Sequence, residues 1–316
     1  MANEKWFAIV NPKAGKGRAV VDWPRISWML TDAGVEFDHV FTQKKYHAIE
    51  LTVRAIRNGY RKIISVGGDG TLNEIVNGIF IQKEVDTTDV LLAMMPLGIG
   101  NDWIRMYGIP RTYADAIEAI KHGRSFLQDV GLVKFYEAKV HHERYFANAV
   151  GIGFDGFVAI GFNRLKEAGK KSKWLYIISM IKSVLRYRAT KVAMRIDDEA
   201  IADDIYSITL GVGKYNGGGM IQLPNAIADD GLLDVTVIRK ISGFNVLWNM
   251  PILYNGRIHA HSKISGHRGK EISIHSLPQI PIEVDGESVG FSPFDISVVP
   301  KAINVIVGKS FSSESE

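Results

Sequence analysis

The segment Ile63-Ile64-Ser65-Val66-Gly67-Gly68-Asp69-Gly70-Thr71-Leu72-Asn73-Glu74 carries the densest chemical signal in the chain. A β-branched run delivers the backbone to three glycines, and a helical pattern starts immediately afterwards. Glycine lets a backbone approach a ligand closely, and the N–H groups of a helix start attract phosphate. Thr71 and Glu74 also have the spacing of a capping box, so a plain strand–helix turn explains the same residues. The two readings are compatible, because a capping box leaves some N–H groups over. A second loop, Asn11-Pro12-Lys13-Ala14-Gly15-Lys16-Gly17-Arg18, combines glycine with lysine but lacks the spacing of a Walker A loop. A third reads Pro96-Leu97-Gly98-Ile99-Gly100-Asn101-Asp102-Trp103. Asp230-Gly231 and Asp285-Gly286 read by themselves as ordinary hairpin turns. His259, His261 and His267 have no cysteine or clustered acid beside them, and read as core or solvated histidines.

The elements around these loops alternate. Trp6–Val10, Phe37–Phe41, Lys62–Val66 and Val90–Met95 read as strands, with helical patterns at Val20–Ala33, His47–Arg57 and Thr71–Phe80. Pro24 must sit in the first turn of its helix or break it. Such alternation predicts a parallel sheet covered on both faces. All three loops follow strands of that sheet and so share its C-terminal edge, where open α/β folds bind ligands. After about Ser125 the texture changes to short β-rich segments, among them Lys191–Ile196, Tyr206–Val212, Leu233–Ile238, Ile272–His275, Ile280–Val284 and Phe294–Val299. These predict an antiparallel sandwich or barrel, interrupted by one long helical segment at Arg164–Arg188.

Composition narrows the class. A chain of 316 residues exceeds one ordinary hydrophobic core, so two domains are expected. The absence of cysteine excludes disulfides, thiolate metal sites and a thiol nucleophile. A net charge of +4 is too weak to argue for nucleic acid, but suits a nucleotide or an anionic membrane surface. The apolar run ending at Val10 is too short for a signal peptide, and Trp174–Ile181 reaches about half of a spanning helix. A cytoplasmic protein is expected.

Taken together and in order, Asn-Pro-x-x-Gly-x-Gly at 11–17, Gly-Gly-Asp-Gly-Thr-Leu-Asn-Glu at 67–74 and Pro-x-Gly-x-x-Asn-Asp-Trp at 96–103 resemble the diacylglycerol kinase catalytic domain. The likeness is to the soluble bacterial lipid kinases, relatives of sphingosine and ceramide kinases. It extends over nearly the whole chain through Pro224-x-Ala226, Asp230-Gly231-Leu232-Leu233-Asp234 and Val284-Asp285-Gly286-Glu287. The resemblance implies ATP-dependent phosphorylation of a lipid hydroxyl. It also implies a nucleotide-binding α/β domain at 1–125, rejoined by 301–309, then a β-sandwich lipid-substrate domain at 126–300, with the active site in the cleft between them. The tail 310–316 is expected to be disordered.

By the same resemblance, Asn11, Pro12, Lys13, Ala14 and Gly15, with Thr42 and Gly67, Gly68, Asp69, Gly70, Thr71, Leu72 and Asn73, hold the nucleotide, joined by Ile99, Asn101 and Asp102. Asp69, Asp102 and Asp129 form a water-linked network around the nucleotide Mg²⁺. Glu287 is the general base, and Asp230 with the carbonyls of Ile227 and Leu232 holds a structural Mg²⁺. The family usually has threonine where Ile99 stands; losing that hydroxyl contact costs about 0.5–1.5 kcal/mol.

Between Arg164 and Arg188 lie eight basic residues (Arg164, Lys166, Lys170, Lys171, Lys173, Lys182, Arg186, Arg188) and one acid, Glu167. Trp174, Ile177, Ile178, Ile181 and Leu185 have the spacing of one helical face. That pattern suits either an anionic bilayer surface or a helix packed on the sandwich with solvated lysines outside. The acceptor lipid stays open between diacylglycerol, phosphatidylglycerol and a sphingoid base, and so does a homodimer. An NAD kinase, which shares Gly-Gly-Asp-Gly-Thr, and a non-catalytic nucleotide sensor are the rival readings.

Overall fold

A computed structural model describes residues 3–98, 100–137, 140–167 and 182–312, without the side chains of 162–167. Ile99, residues 168–181 of the expected basic helix, and 313–316 of the expected tail lie outside the described residues. The chain divides into two compact units. The first comprises Met1–Val130, Ala228–Asp230 and Val299–Glu316, and the second Gly131–Ile227 with Gly231–Val298. The expected division at 125 therefore moves: it falls inside a strand that runs from one unit into the other.

In the first unit the strands are β1 (Asn3–Val10), β2 (Phe37–Phe41), β3 (Tyr60–Gly67) and β4 (Leu91–Pro96). β1 pairs in parallel with both β2 and β3, and β3 pairs in parallel with β4. The helices are α1 (Ala14–Asp32), α2 (His47–Arg57), α3 (Asp69–Ile81), α4 (Asp102–Met106) and α5 (Tyr113–His122). In α2 the buried residues Ala48, Leu51, Thr52, Ala55 and Ile56 form one stripe, and Gly59 (φ 94°) ends the helix in a left-handed turn. Gly78 lets α3 lie against α2, since a Cβ there would sit 2.6 Å from Thr52 Cβ. Ala8, Val10, Ile26, Leu30, Ile64, Val66, Ala93 and Met95 belong to this unit's core.

α1 departs from expectation. Gly15, Lys16 and Gly17 have φ of 58°, 64° and 89°, so a left-handed turn precedes the regular helix. That helix then runs through Pro24, neither opening on it nor breaking at it. The buried stripe Ala19, Trp23, Ile26 and Leu30 anchors both sides of the proline, and tertiary burial outweighs the missing hydrogen bond.

The second unit is antiparallel. Its strands are β5 (Arg124–Glu137), β6 (Val140–Phe146), β7 (Ala149–Gly153), β8 (Thr190–Ile196), β9 (Glu199–Gly211), β10 (Tyr215–Asn216), β11 (Met220–Ile221), β12 (Leu233–Arg239), β13 (Ile264–Gly269), β14 (Glu271–Ser276), β15 (Pro281–Val284) and β16 (Glu287–Val307). β7 pairs with β9, β9 with β8, β8 with β14, β14 with β16, β16 with β15 and β15 with β7. The ladder thus closes on itself, which leaves these strands no free edge. Val150, Ile152, Met194, Ile208, Leu210, Ile274, Ile282 and Phe294 belong to its core. It is accompanied, among the described residues, by α6 (Phe154–Glu167), α7 (Gly243–Asn249) and the helical residues 182–186. β5 and β16 each start in one unit and end in the other. In the first unit, Asn304 and Val305 of β16 pair in parallel with Leu91 and Leu92 of β4.

The described ends of the expected helical segment Arg164–Arg188 are helical: α6 begins earlier, at Phe154, and residues 182–186 are helical with Ser183 and Val184 buried. Leu185, expected on the apolar face, is 55% exposed.

Candidate active site

Three loops meet at one edge of the first unit. The Asn11 N–H donates to the Val66 carbonyl, and its side-chain amide to Thr71 Oγ1 at 2.9 Å. Asn11 Oδ1 in turn accepts the Lys13 N–H. Leu97 and Gly98 both donate N–H to the Gly67 carbonyl, at 2.8 and 3.0 Å. The glycines are there for contact. A Cβ on Gly98 would stand 2.2 Å from Asn101 Oδ1 and 2.6 Å from Gly68 Cα, and one on Gly15 would stand 2.5 Å from the Leu97 carbonyl. Any larger residue at 98 forces the glycine loop at 67–70 and the third loop apart. Thr42 closes the edge: it is 9% exposed and its N–H donates to the Val10 carbonyl. Leu72 and Asn73 are buried, so their side chains serve the inner face of α3.

The capping box does not form. α3 starts at Asp69 with Gly68 as its N-cap, which leaves Thr71 inside the helix with its hydroxyl taken up by Asn11. The Glu74 carboxylate instead receives the N–H groups of Tyr46 and Ala48, both at 3.0 Å, and fixes the start of α2. Its partners lie 28 and 26 residues away, which no local spacing rule detects.

Asp69 is held by the third loop. Its two carboxylate oxygens accept the N–H groups of Asp102 and Trp103, each at 3.2 Å. A Cβ on Gly100 would lie 3.4 Å from Asp69 Oδ2 and 3.9 Å from Asp102 Oδ2, so these carboxylates flank one point of the loop. Arg105 Nε is 3.5 Å from Asp102 Oδ1. Trp103, fully buried, donates its indole N–H to Gln128 Oε1 at 3.1 Å. Asp129 follows, wholly buried; its carboxylate accepts the Lys301 N–H at 2.7 Å and its own N–H donates to the Ala228 carbonyl. Ile227, Asp230 and Leu232 lie on the turn that leads into β12, where Gly231 has φ 74°. Among the described residues no three Asp, Glu or His side chains gather as direct metal ligands.

In the second unit, Asp285 and Gly286 (φ 46° and 87°) make the two-residue turn between β15 and β16, with Val284 opposite Glu287. Asp285 does more than turn the chain. Its carboxylate accepts the N–H groups of Ala147, Asn148 and Ala149 at 3.0 to 3.2 Å. Glu287 lies 3.6 Å from Arg144 Nη2. Sequence reasoning missed Glu283, whose carboxylate accepts the Gly286 N–H at 2.7 Å and the Asn216 side-chain amide at 3.0 Å. Burial pushes Glu283 up to about 8, reinforced by the nearby Asp155 and opposed by the Asn216 hydrogen bond. Asp155 is raised as well, by burial, against hydrogen bonds from Ser207 and Thr209. The signal was present: an acid inside the fully buried four-residue strand Pro281-Ile282-Glu283-Val284 needs a reason to be there.

Comparison with known proteins follows the same two-part division. Residues 5–133 match the diacylglycerol kinase catalytic domain, and residues 148–307 match the domain described as the YegS C-terminal NAD kinase beta sandwich-like domain. The chain is 27% identical over 304 residues to a diacylglycerol kinase of Mycobacterium tuberculosis, covering 96% of this chain and 94% of the relative. It is 27% identical over 306 residues to a diacylglycerol kinase of Staphylococcus carnosus, covering 95% and 94%. The fold matches a crystal structure of a diacylglycerol kinase from Bacillus anthracis with a TM-score of 0.72 at 24% identity, over 98% of both chains. Since the two domain matches together, and each relative by itself, span nearly the full chain, the chain belongs to the diacylglycerol kinase catalytic-domain family and is an ATP-dependent lipid kinase.

Proposed function

We propose that the chain transfers the γ-phosphate of ATP to the free hydroxyl of diacylglycerol, giving phosphatidic acid and ADP. The observation that carries the nucleotide half is the meeting of Asn11–Gly15, Gly67–Asn73 and Gly98–Asp102 through glycine contacts. Backbone N–H groups, with Lys13 beside them, suit the polyphosphate, and phosphoryl transfer depends mostly on such positioning and charge neutralisation. The relatives named diacylglycerol kinase support the acceptor.

Mg²⁺ fits the acidic part of this edge. Asp69 and Asp102 flank Gly100, and a magnesium ion keeps most of its waters, so a sparse acidic set suffices. When bound it neutralises charge on the phosphates. Asp69 already orients the third loop through two N–H groups, and Asp129 ties that region to Lys301. Asp230, with the carbonyls of Ile227 and Leu232, is the proposed holder of a second, structural Mg²⁺. Glu287 is the proposed base. Its carboxylate accepts the hydroxyl proton while the lipid oxygen forms its bond to the γ-phosphorus and the bond to the β–γ bridging oxygen breaks.

The kinase works, in this reading, in the cytoplasm and on an anionic membrane surface. Among the described residues no helix is long and apolar enough to cross a membrane. Labelled ATP offered with diacylglycerol, phosphatidylglycerol, a sphingoid base and NAD in mixed micelles tests the acceptor. Label entering diacylglycerol fastest is the expected result. Label entering only another lipid overturns the acceptor, and label entering only NAD overturns the lipid assignment.

A further inference from the structure

Two aromatic side chains stand out on the surface of the second unit. Phe244 and Trp248, one turn apart on α7, are 70% and 75% exposed, and their rings stack 6.2 Å apart. Burying either would normally stabilise a protein, yet the fold leaves both in water. Solvated helix faces rarely carry a paired Phe and Trp, and contiguous exposed apolar surface marks an interaction site.

Residues 235–270 contain six lysines and arginines and no Asp or Glu; Arg239, Lys240 and Arg268 pair with Asp203, Asp204 and Asp234 outside that stretch. α7 also starts beside a second exposed segment, for a Cβ on Gly243 would lie 2.9 Å from the Val184 carbonyl. Next to Val184, Leu185 is 55% exposed, and Lys182, Arg186 and Arg188 are exposed as well. Apolar side chains flanked by the exposed cations Lys182, Arg186 and Arg188 complement one surface chemistry: an apolar layer beneath a negatively charged one. Trp and Phe favour that boundary, and each nearby Lys or Arg adds attraction to anionic headgroups.

We infer that Phe244, Trp248 and Leu185, with Lys182 and Arg186, form the surface through which the second unit docks on an anionic bilayer. The inference rests on the reading that the kinase works on a membrane, and it moves the point of contact onto α7, a helix that the basic segment alone did not indicate.

The test is sedimentation of the whole protein with phosphatidylcholine vesicles, with and without phosphatidylglycerol. Wild type is expected to bind the anionic vesicles. F244S/W248S is expected to bind at least tenfold more weakly, and K182Q/R186Q about fivefold more weakly for each cation removed. Both variants should melt like wild type and keep phosphoryl transfer to a short-chain, water-dispersed diacylglycerol. Brominated acyl chains should quench a tryptophan component that disappears in W248F, which keeps the test decisive even if a double variant folds poorly. A wild type that binds neither vesicle overturns the membrane reading itself. A wild type that binds while F244S/W248S binds equally overturns only the α7 assignment. Unchanged vesicle binding with loss of a wild-type dimer in F244S/W248S identifies the patch as a self-association face and overturns the inference too.

Discussion

Asp69→Ala separates the two tasks of the residue at the centre of the proposed site. Its carboxylate accepts the N–H groups of Asp102 and Trp103, so the substitution leaves two donors at the start of α4 without their acceptor. Losing a helix-start acceptor of this kind costs about 0.5–2 kcal/mol, and a buried orphan donor about 1–3 kcal/mol. A total near 2 kcal/mol lowers the melting temperature by roughly 4–8 °C in a unit of this size. It does not unfold a protein with an ordinary stability of about 5–15 kcal/mol. At 25 °C nearly all Asp69→Ala molecules are folded, and any loss of turnover belongs to the site. The expected loss in a labelled-ATP assay is at least 10², because the variant removes a charge from the phosphate edge and releases the loop that carries Asp102. Leu30→Ala is the control. Leu30 is a wholly buried core residue of the same unit, and its truncation costs about 2–5 kcal/mol. It should melt at least as early as Asp69→Ala while turning over near the wild-type rate. Activity within tenfold of wild type in a folded Asp69→Ala protein, or an equal loss in Leu30→Ala, refutes the reasoning.

Gly98→Ala puts a methyl group into the space held by Asn101 Oδ1 and Gly68 Cα, so the melting temperature should fall and the KM for ATP should rise at least tenfold; an unchanged KM would show that these loops do not bind nucleotide. Glu287→Gln should lower turnover by roughly 10² to 10⁴ and leave calorimetric ATP affinity unchanged, whereas Asp285→Asn, which weakens the clamp on residues 147–149, should mainly lower the melting temperature. Full turnover in Glu287→Gln removes it from the mechanism. Glu283 titrates near 8 when folded and near the ordinary carboxylate value when unfolded, so the native state holds the extra proton between those values. Its contribution to stability is complete below the unfolded value and fades as pH rises through 8, with a slope of up to about 1.4 kcal/mol per pH unit. Denaturant titrations of Glu283→Gln between about pH 5 and about pH 9 should lose this slope, and an unaltered slope would mean that Glu283 is ionised in the folded protein at neutral pH.

The loops were legible because their demands are local. Glycine where backbones touch, Asn-Pro at a turn and a β-branched run before each loop are written within a few residues of one another, and Gly15, Gly68 and Gly98 occupy the contacts that their type suggests. The strands of the second unit were only partly legible. β8, which alternates in burial, and β12 and β15, which are continuous apolar or buried runs, could be read, while β5, β6 and β7 were missed. β7 is buried at all five positions and contains two glycines, and β5 is exposed at both ends, so neither shows a clean period of two.

The acids were the least legible, and for one physical reason. A carboxylate's role depends on which N–H groups surround it, and here those groups come from far along the chain: 33 and 34 residues for Asp69, 172 for Asp129, and up to 138 for Asp285. Spacing rules see a capping box at Thr71 and Glu74, but Glu74 serves α2 and Thr71 serves Asn11. The same holds for the hairpin that carries Glu287. Its turn type follows from Asp-Gly alone, yet its position in the unit is set by Asp285 gripping residues 147–149 and by Glu283 holding Gly286. Two carboxyl groups thereby fix the place of a third, as the proposed role of Glu287 as general base requires. That arrangement explains why so costly a residue as a buried Glu persists in β15: its burial is offset by two hydrogen bonds and puts the hairpin tip where Glu287 can be held.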